Sequence, residues 1–320
     1  MLTETISLRA DENRDDVTLT TYLLDRSIEL TGHPRPAVLV CPGGANLACS
    51  DREAEPVALF FNSLGYQAFV LRYSVYFRGE NEQLARFFGP SEGGSVPIAS
   101  YKPRAESAYP APIVDVEKAM LAIGVNADRW NVDTRQVAVC GFSSGGHTAA
   151  LYAAEWNQPI VREVGGGAHR IRPAAVILGY PVVDRMGPVS GAVRASHDAR
   201  LRELGDMSDL ALFGTPNPPE ELRRRASVTC QITRDMPATF IWDTAEDEIV
   251  PTSQSLSLAL ALSSKGVPFE LHVFEHGEHG LSLATRATAQ GERQVRPDVA
   301  QWTELVRTWL AGRFTIELDG

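Results

Sequence analysis

The chain has 320 residues and is 44% hydrophobic, which is enough apolar material to bury a large core in one α/β domain or in two smaller ones. Forty acidic and thirty basic residues give a formal net charge of −10, which disfavours nucleic acid and anionic membranes as partners. The N-terminus has no signal-peptide pattern and no apolar run approaches membrane-spanning length, so we expect a cytoplasmic protein. Four cysteines are few for this length and indicate reduced thiols rather than disulfides.

Strand-like and helix-like segments alternate from the first part of the chain onward. Val17–Leu24 partly alternates polar and apolar residues, which suits an early antiparallel strand. Ala37–Cys41 is continuously apolar and predicts a strand that is buried on both faces. A helix over Glu53–Leu64, ended by Gly65, then leads into a strand at Gln67–Arg72.

The same alternation continues to the C-terminus. The further predicted elements are a helix at Ile113–Ile123, a strand at Gln136–Cys140, a helix at Gly146–Ala154, strands at Ala174–Gly179 and Ala238–Trp242, a helix at Ser253–Ser264, a strand at Phe269–Phe274 and a helix at Trp302–Leu310. This order implies an α/β fold with a mostly parallel central sheet and helices on both faces. Because no repeat or linker interrupts it, we predict a single domain over residues 1–320.

Two stretches break the alternation, at residues 77–110 and 186–236, and we predict that both are lid insertions. The first mixes aromatic residues with polar residues and glycines, which suits a loop that covers a pocket. A surface excursion with its own small core is the alternative. Arg223–Arg225 in the second stretch is more simply a solvated helix face than an anion site.

A G-x-S-x-G motif, Gly141–Gly145, lies between a predicted strand and a predicted helix. A serine at the tip of a tight turn between a strand and a helix is held clear of the backbone, close to a base and to N–H donors. The flanking glycines have no Cβ to clash where the strand and the helix pack closely. We therefore predict that Ser143 is a nucleophile, with an ordinary glycine-rich turn as the alternative.

A serine nucleophile needs a base and an acid, and in this fold class they follow in the order serine, acid, histidine. Asp247 lies in the loop after one predicted strand, and His279 lies in the loop after the next. An open α/β sheet gathers its site residues at these carboxyl ends of its strands. We predict Asp247 as the acid and His279 as the base, and Asp243 and His276 are the alternatives.

A divalent metal site is a rival use of the second loop, where His272, His276 and His279 lie among Glu275 and Glu278. The chain has no H-E-x-x-H motif, and His272 falls on a strand while the other two histidines lie in a loop. A metal site would also leave the serine motif unexplained. We therefore predict no metal.

Acyl transfer also needs two N–H donors for the tetrahedral oxyanion. One is the backbone N–H of Ser144, which follows the nucleophile. The second is expected in the Pro-Gly-Gly turn after the first buried strand, where Gly44 and Ala45 can turn their N–H groups inward. A plain glycine turn is the alternative. We also assign Asn46 and Tyr180 to substrate binding.

Six separated motifs resemble those of the bacterial α/β-hydrolase esterases grouped near acetyl xylan and feruloyl esterases. They are Val40–Gly44, Asp51–Val57, Val70–Val75, Tyr109–Asp115, Val139–His147 and His279–Ala284. The resemblance implies an α/β-hydrolase fold with lid insertions. It also implies a cofactor-free serine carboxylesterase acting on acetyl or other small acyl groups of sugars, with its triad and oxyanion donors at the residues predicted above.

The chain departs from that family pattern at four positions or stretches. Ala45 stands where a third glycine is usual and Ser144 where alanine is usual, but backbone N–H groups act there and we expect activity to survive. Asp243 replaces a usual histidine and adds a carboxylate near the site. The segment 75–109 is longer than usual, and we expect it to shape the acyl or sugar pocket.

We therefore expect a serine carboxylesterase that hydrolyses short-chain acyl esters through an acyl-enzyme, with O-acetyl groups on small sugars or xylo-oligosaccharides as the first choice. The alternatives are a feruloyl-type aryl esterase and a serine peptidase or thioesterase with the same triad. A non-catalytic binding protein should lack a triad member, and none is missing. The expected partner is a small-molecule ester, and the oligomeric state is left open, a homo-oligomer included.

Overall fold

The computed structural model describes residues 1–26, 32–78, 98–164, 170–186 and 199–318, and a sheet of eight strands runs through these segments. The strands are β1 (Thr5–Arg9), β2 (Arg14–Tyr22), β3 (Arg35–Cys41), β4 (Gln67–Arg72), β5 (Val132–Phe142), β6 (Ala175–Gly179), β7 (Ala238–Thr244) and β8 (Phe269–Phe274). Their spatial order is β1-β2-β4-β3-β5-β6-β7-β8. β1 and β2 are antiparallel to their neighbours, and β3 to β8 are parallel to one another.

Helices cover both faces of this sheet. They are α1 (Glu55–Ser63), α2 (Ala111–Val125), α3 (Ala127–Trp130), α4 (Ser143–Glu155), α5 (Pro159–Arg162), α6 (Ala199–Phe213), α7 (Glu220–Ala226), α8 (Val228–Gln231), α9 (Ser253–Lys265) and α10 (Trp302–Ala311). One core cluster joins α2, α4 and α9 to the sheet, and another joins α1 and α10 to its opposite face. The fold is thus the predicted α/β-hydrolase type.

The alternation of side chains along β3 shows why its sequence is continuously apolar. Leu39 and Cys41 belong to the core on one face, whereas Val38 and Val40 belong to the core on the other. Because both faces are covered by helices, neither set of side chains reaches solvent. All the strands and helices predicted from the sequence are present, and β1 is an additional edge strand that the sequence analysis missed.

The two insertions are only partly described, because residues 79–97 and 187–198 lie outside the described segments. In the second insertion, α6 packs Met207 and Leu210 against Leu47 and Phe77, which forms a small separate core. Arg224 and Arg225 are exposed on α7 as expected, but Arg223 lies 3.4 Å from a carboxylate oxygen of Asp209 in α6. The lid role of both insertions, and the assignment of the whole chain to one domain, stay predictions.

The cysteines and the helices bear on two expectations from the sequence, reduced thiols and the absence of a membrane-spanning segment. All four cysteines are free thiols in the structure. Among the described residues, no helix combines the length and the apolar character that a membrane crossing requires.

Candidate active site

Ser143 sits at the junction of β5 and α4 with a left-handed backbone φ of 51°. The neighbouring glycines make this turn sterically possible. A Cβ on Gly141 would lie 2.3 Å from the carbonyl oxygen of Gly145, and a Cβ on Gly145 would lie 2.1 Å from the carbonyl oxygen of Cys41. Larger residues would therefore push α4 away from β3 and β5. The strand-to-helix turn that the motif predicts is present.

The structure brings Ser143, His279 and Asp247 together from three different loops. His279 Nε2 lies 2.9 Å from Ser143 Oγ, and His279 Nδ1 lies 2.6 Å from Asp247 Oδ2. With its proton on Nδ1, the imidazole donates to the aspartate and accepts a hydrogen bond from the serine hydroxyl. This is the hydrogen-bond sequence that activates a serine.

The second oxygen of Asp247 holds the carboxylate in place. Asp247 Oδ1 accepts hydrogen bonds from the backbone N–H groups of Ile249 and Val250 at 2.9 and 2.8 Å. The residue is only 6% exposed, so its orientation toward His279 is set by the loop after β7 and not by solvent. An acid held in this way keeps the imidazole in one tautomer and one orientation.

Several charges act on the His279 imidazole, whose side chain is 13% exposed. Removal from water opposes protonation, but the charge and hydrogen bond of Asp247, followed by the charges of Glu53 and Asp243, outweigh it and raise the pKa of His279. The surrounding carboxylates thus make this histidine a stronger base than a free imidazole.

Asp243, the alternative acid, lies at the end of β7 and does not contact His279 by a hydrogen bond. Its carboxylate accepts hydrogen bonds from Ser255 Oγ at 2.6 Å and from the Thr244 N–H at 2.8 Å. The side chain is fully buried, and burial is the main reason why the pKa of Asp243 rises to about 7. The geometry therefore favours Asp247 as the partner of the histidine.

The other histidines of this region have different partners. His276 Nδ1 lies 2.8 Å from the exposed carboxylate of Glu246, and His272 Nε2 lies 2.7 Å from Glu270. Within the described segments, no group of three or more His, Cys, Asp or Glu side chains is arranged to hold a metal ion. The rival metal arrangement is therefore not formed by these residues.

The turn after β3, which we call the oxyanion turn (residues 43–46), is held by hydrogen bonds at both the N–H and the carbonyl of Gly43. The Gly43 N–H donates to Glu53 Oε2 at 2.7 Å, and the Gly43 carbonyl accepts from the Ser50 N–H at 2.8 Å. In a trans peptide the next N–H, that of Gly44, must point opposite to this carbonyl. It forms no hydrogen bond to the described residues, nor does the N–H of Ala45.

Three successive residues of the oxyanion turn have a positive backbone φ. Gly44 has a φ of 139°, and Ala45 and Asn46 are left-handed with φ values of 58° and 62°. Ser144 provides the other expected donor, because it lies in the first turn of α4, where backbone N–H groups have no partner within the helix. The helix dipole adds a favourable field for negative charge there.

The two residues assigned to substrate binding are both almost completely buried, at 2% exposure. Asn46 Nδ2 donates to Ser208 Oγ of α6 at 3.2 Å, and its role toward a substrate stays a prediction. The Tyr180 hydroxyl donates to Glu53 Oε1 at 2.6 Å and accepts from the Ser282 N–H at 2.9 Å. These contacts occupy the hydroxyl within the protein, so the structure does not support the assignment of Tyr180 to substrate binding.

Glu53 is the residue of this site that the sequence analysis missed. It is 4% exposed and lies between the oxyanion turn and Tyr180, yet we read it from the sequence only as the start of a helix. The signal that could have found it is its place in the motif Asp51–Val57, which follows the turn in the sequence.

The sheet order, the two helical layers and the serine turn define an α/β-hydrolase. The chain belongs to the BD-FAE family, whose model matches residues 88–262. The resemblance to the acetyl xylan and feruloyl esterase group that the motifs indicated is thereby confirmed.

Individual relatives agree with this membership. Endo-1,4-beta-xylanase B of Butyrivibrio fibrisolvens is 31% identical over 255 residues, which are 78% of this chain and 33% of that protein. Acetylxylan esterase of Xylanibacter ruminicola is 22% identical over 196 residues, which are 61% of this chain and 36% of that protein. The chain thus spans about a third of the length of these curated relatives.

A solved structure matches nearly the whole chain. It is the acetyl ester-xyloside bifunctional hydrolase of Caldicellulosiruptor lactoaceticus, with a TM-score of 0.70 and 30% identity. The match covers 97% of this chain and 96% of that one, so the two share their architecture from end to end.

Proposed function

We propose that this chain is a serine carboxylesterase that hydrolyses short-chain acyl esters, and that O-acetyl groups on small sugars or xylo-oligosaccharides are its preferred substrates. The observation that carries the proposal is the continuous hydrogen-bond sequence from Ser143 through His279 to Asp247. It lies beside an oxyanion turn whose Gly44 N–H forms no hydrogen bond to the described residues.

In the acylation step, His279 Nε2 takes the proton of the Ser143 hydroxyl while Oγ attacks the ester carbonyl carbon. The carbonyl oxygen becomes an oxyanion, which the N–H groups of Gly44 and Ser144 stabilise. The protonated imidazole, held by Asp247, then gives its proton to the departing alcohol. The products are the free alcohol and an acyl-serine.

In the deacylation step, His279 takes a proton from water, and the resulting hydroxide attacks the acyl-serine carbonyl through the same oxyanion donors. The proton returns to Ser143 Oγ as the carboxylic acid leaves. Both steps require a neutral imidazole. Because the pKa of His279 is raised, kcat/KM should fall on the acid side at a pH above the ordinary imidazole value of about 6.5.

Buried polar atoms in the loop after β6 and in the oxyanion turn support a substrate that carries hydroxyl groups. The loop after β6 contacts the nucleophile, because the Val182 N–H donates to the Ser143 carbonyl at 3.2 Å. Three residues further on, Arg185 is 7% exposed. Its Nη1 lies 3.6 Å from a carboxylate oxygen of Asp209, and its Nε and Nη2 atoms have no hydrogen-bond partner among the described residues. Asn46 Oδ1, in the oxyanion turn, is also buried without such a partner. Buried donors and acceptors of this kind favour a polar alcohol over an aliphatic one.

The comparisons support the same class of substrate. The matching solved structure is named an acetyl ester-xyloside bifunctional hydrolase, and one curated relative is named an acetylxylan esterase. Both names join an acyl ester to a xylose-based sugar. Transfer of that chemistry to this chain is part of the proposal.

The test compares acetate release from acetylated xylo-oligosaccharides with hydrolysis of p-nitrophenyl acetate, butyrate, octanoate and ferulate, a thioester and a peptide. Ser143→Ala should lower kcat by about a millionfold on every ester that the protein cleaves. The matched control is Ser263→Ala, which changes an exposed serine on α9 and should leave kcat unaltered.

The possible outcomes test the serine mechanism and the substrate class separately. Serine-dependent release of acetate from the sugars supports the whole proposal. Serine-dependent turnover of ferulate, a thioester or a peptide alone would retain the nucleophile and replace the substrate class. Full turnover by a folded Ser143→Ala protein would overturn the reaction itself.

A further inference from the structure

Glu53 is a buried carboxylate that the reaction described above does not use. It lies at the end of a 3-10 turn, Asp51–Glu53, and is 4% exposed. Its two oxygens accept hydrogen bonds from two uncharged donors, the Gly43 N–H at 2.7 Å and the Tyr180 hydroxyl at 2.6 Å. A buried charge held by neutral donors is costly for folding, so its position needs an explanation.

One Glu53 oxygen acts on the oxyanion turn. A Cβ built on Gly43 would lie 2.9 Å both from Glu53 Oε2 and from Ser143 Cβ, so the carboxylate and the nucleophile flank the same glycine. The hydrogen bond from Gly43 N–H to Glu53 fixes one end of this residue, and the Ser50 N–H fixes its carbonyl. Together they set the direction of the Gly44 N–H that is to meet the oxyanion.

The other Glu53 oxygen acts on the loop after β8 (residues 275–284), which we call the histidine loop. Tyr180 connects Glu53 to this loop, because its hydroxyl also accepts a hydrogen bond from the Ser282 N–H at 2.9 Å. Its ring packs edge-on against the His279 imidazole, with 4.9 Å between the ring centres. The Ser282 carbonyl is held in turn by the Trp302 indole N–H at 2.9 Å. Tyr180 therefore supports the base both through its ring and through its hydroxyl.

We propose that Glu53 is a positioning residue that holds the oxyanion turn and the histidine loop in register with Ser143. The inference rests on the proposed function, because it concerns the efficiency of that reaction. One carboxylate reaches the oxyanion donor through Gly43 and the general base through Tyr180. A shift of this side chain would therefore disturb both groups at once.

The charges around His279 give the inference a measurable signature. Asp247 faces the imidazole from the loop after β7, Asp243 from the end of β7, and Glu53 from the turn before α1. Arg52 lies nearby, with Nη1 4.0 Å from a Cβ built on Gly280. Because the negative charge of Glu53 helps to raise the pKa of His279, its removal should move the acid limb of the kcat/KM profile to lower pH.

The test uses Glu53→Gln, which keeps the shape of the side chain and removes its charge. The amide can accept from only one of the two donors. We expect kcat on p-nitrophenyl acetate to fall by about a hundredfold, as a small misplacement of reacting groups does, with little change in KM. The acid limb of kcat/KM should move to lower pH. Glu55→Gln, two residues further along and exposed, is the matched control and should behave as the unchanged protein.

Tyr180→Phe is the second variant and keeps the ring that packs on His279. We expect a smaller fall in kcat, with no movement of the acid limb to lower pH, because the charge of Glu53 remains. The Glu53→Gln and Tyr180→Phe effects should be less than additive, since both break the same connection. This variant also tests the inference if Glu53→Gln does not fold.

Three results would overturn the inference: a Glu53→Gln protein that matches Glu55→Gln in kcat, an unmoved acid limb with lowered kcat, or additive effects of Glu53→Gln and Tyr180→Phe. A lowered kcat with an unmoved acid limb would show that Glu53 has only a structural role. These failures differ from failure of the proposed function, which appears as full turnover by Ser143→Ala. If Ser143→Ala is inactive and Glu53→Gln is not impaired, only the positioning role is lost.

Discussion

The loops at the carboxyl ends of β3, β5, β7 and β8 differ sharply from helices α6 and α7, which lie between β6 and β7. The loops hold Ser143, His279 and Asp247, and their side chains are fixed by partly buried hydrogen bonds and by close backbone contacts. By contrast, residues 201–206 of α6 are only half-buried, and Arg224 and Arg225 of α7 are exposed. The groups proposed for the chemical step thus lie where close contacts restrict the backbone.

Helix α6 meets the site at the oxyanion turn. Asn46 of the oxyanion turn donates to Ser208 of α6, and Leu47 packs against Met207 and Leu210 of the same helix. Helix α6 therefore contacts the oxyanion turn, whereas Tyr180 and Val182, directly after β6, contact His279 and Ser143 and belong with the loops. We infer that substitutions in the loops should act on the chemical step, and substitutions in α6 on substrate binding.

The largest effect is expected within the loops, where two aspartates follow β7. Asp247→Asn should lower kcat by about ten thousandfold, because an amide holds the imidazole in the wrong tautomer. Asp243→Asn should retain most of the activity, because its amide can accept from the Thr244 N–H and donate to Ser255 without touching His279. Steady-state kinetics on p-nitrophenyl acetate measures both.

Equal losses in the two variants would contradict this division, and a larger loss in Asp243→Asn would make Asp243 the acid. Far-ultraviolet circular dichroism of both proteins serves as the control, because each substitution preserves the size of the side chain.

A pair of Gly→Ala substitutions compares the two regions directly through stability. Gly145→Ala should lower the free energy of unfolding by about 3 kcal/mol or more, because the new Cβ would lie 2.1 Å from the Cys41 carbonyl oxygen. Gly214→Ala, at the end of α6, should cost about 1 kcal/mol, because only its φ of 71° opposes alanine and the nearest atom is 3.9 Å away. Urea denaturation checks both values, and equal costs would show that the loops are no more tightly packed than α6.

The smallest effect is expected where the two regions touch. Ser208→Ala removes the hydrogen bond to Asn46 and should lower kcat/KM by no more than about tenfold, mainly through KM. The comparison between acetylated xylo-oligosaccharides and p-nitrophenyl acetate shows whether the change depends on the sugar. A hundredfold loss in kcat would place α6 in the chemical step and remove the distinction between the regions.

Much of the fold and the arrangement of the site could be predicted from the sequence, because both depend on local patterns. The apolar run Ala37–Cys41 indicates a strand covered on both faces, and the glycines around Ser143 are required by close backbone contacts. His279 and Asp247 could be selected because each follows a strand in the order that the fold class imposes. The structure shows these three side chains within hydrogen-bond distance.

The parts that could not be predicted depend on tertiary contacts. Glu53 and Tyr180 are 127 residues apart in sequence, and nothing in either local segment indicates their hydrogen bond. Tyr180 follows β6 at the edge where ligands bind, but whether its hydroxyl meets a substrate or a buried carboxylate depends on Glu53. The preference for Asp247 over Asp243 likewise depends on which carboxylate the loop turns toward His279.

Asp243 also makes folding of this chain a proton-binding reaction. In the folded protein, burial raises the pKa of its carboxyl to about 7, whereas in the unfolded chain it returns to an ordinary value near 4. Between these values the folded state holds a proton that the unfolded state releases, so folding takes up hydrogen ions from the buffer. The contribution of this residue to stability therefore falls as the pH rises from about 4 to about 7 and levels off above that range.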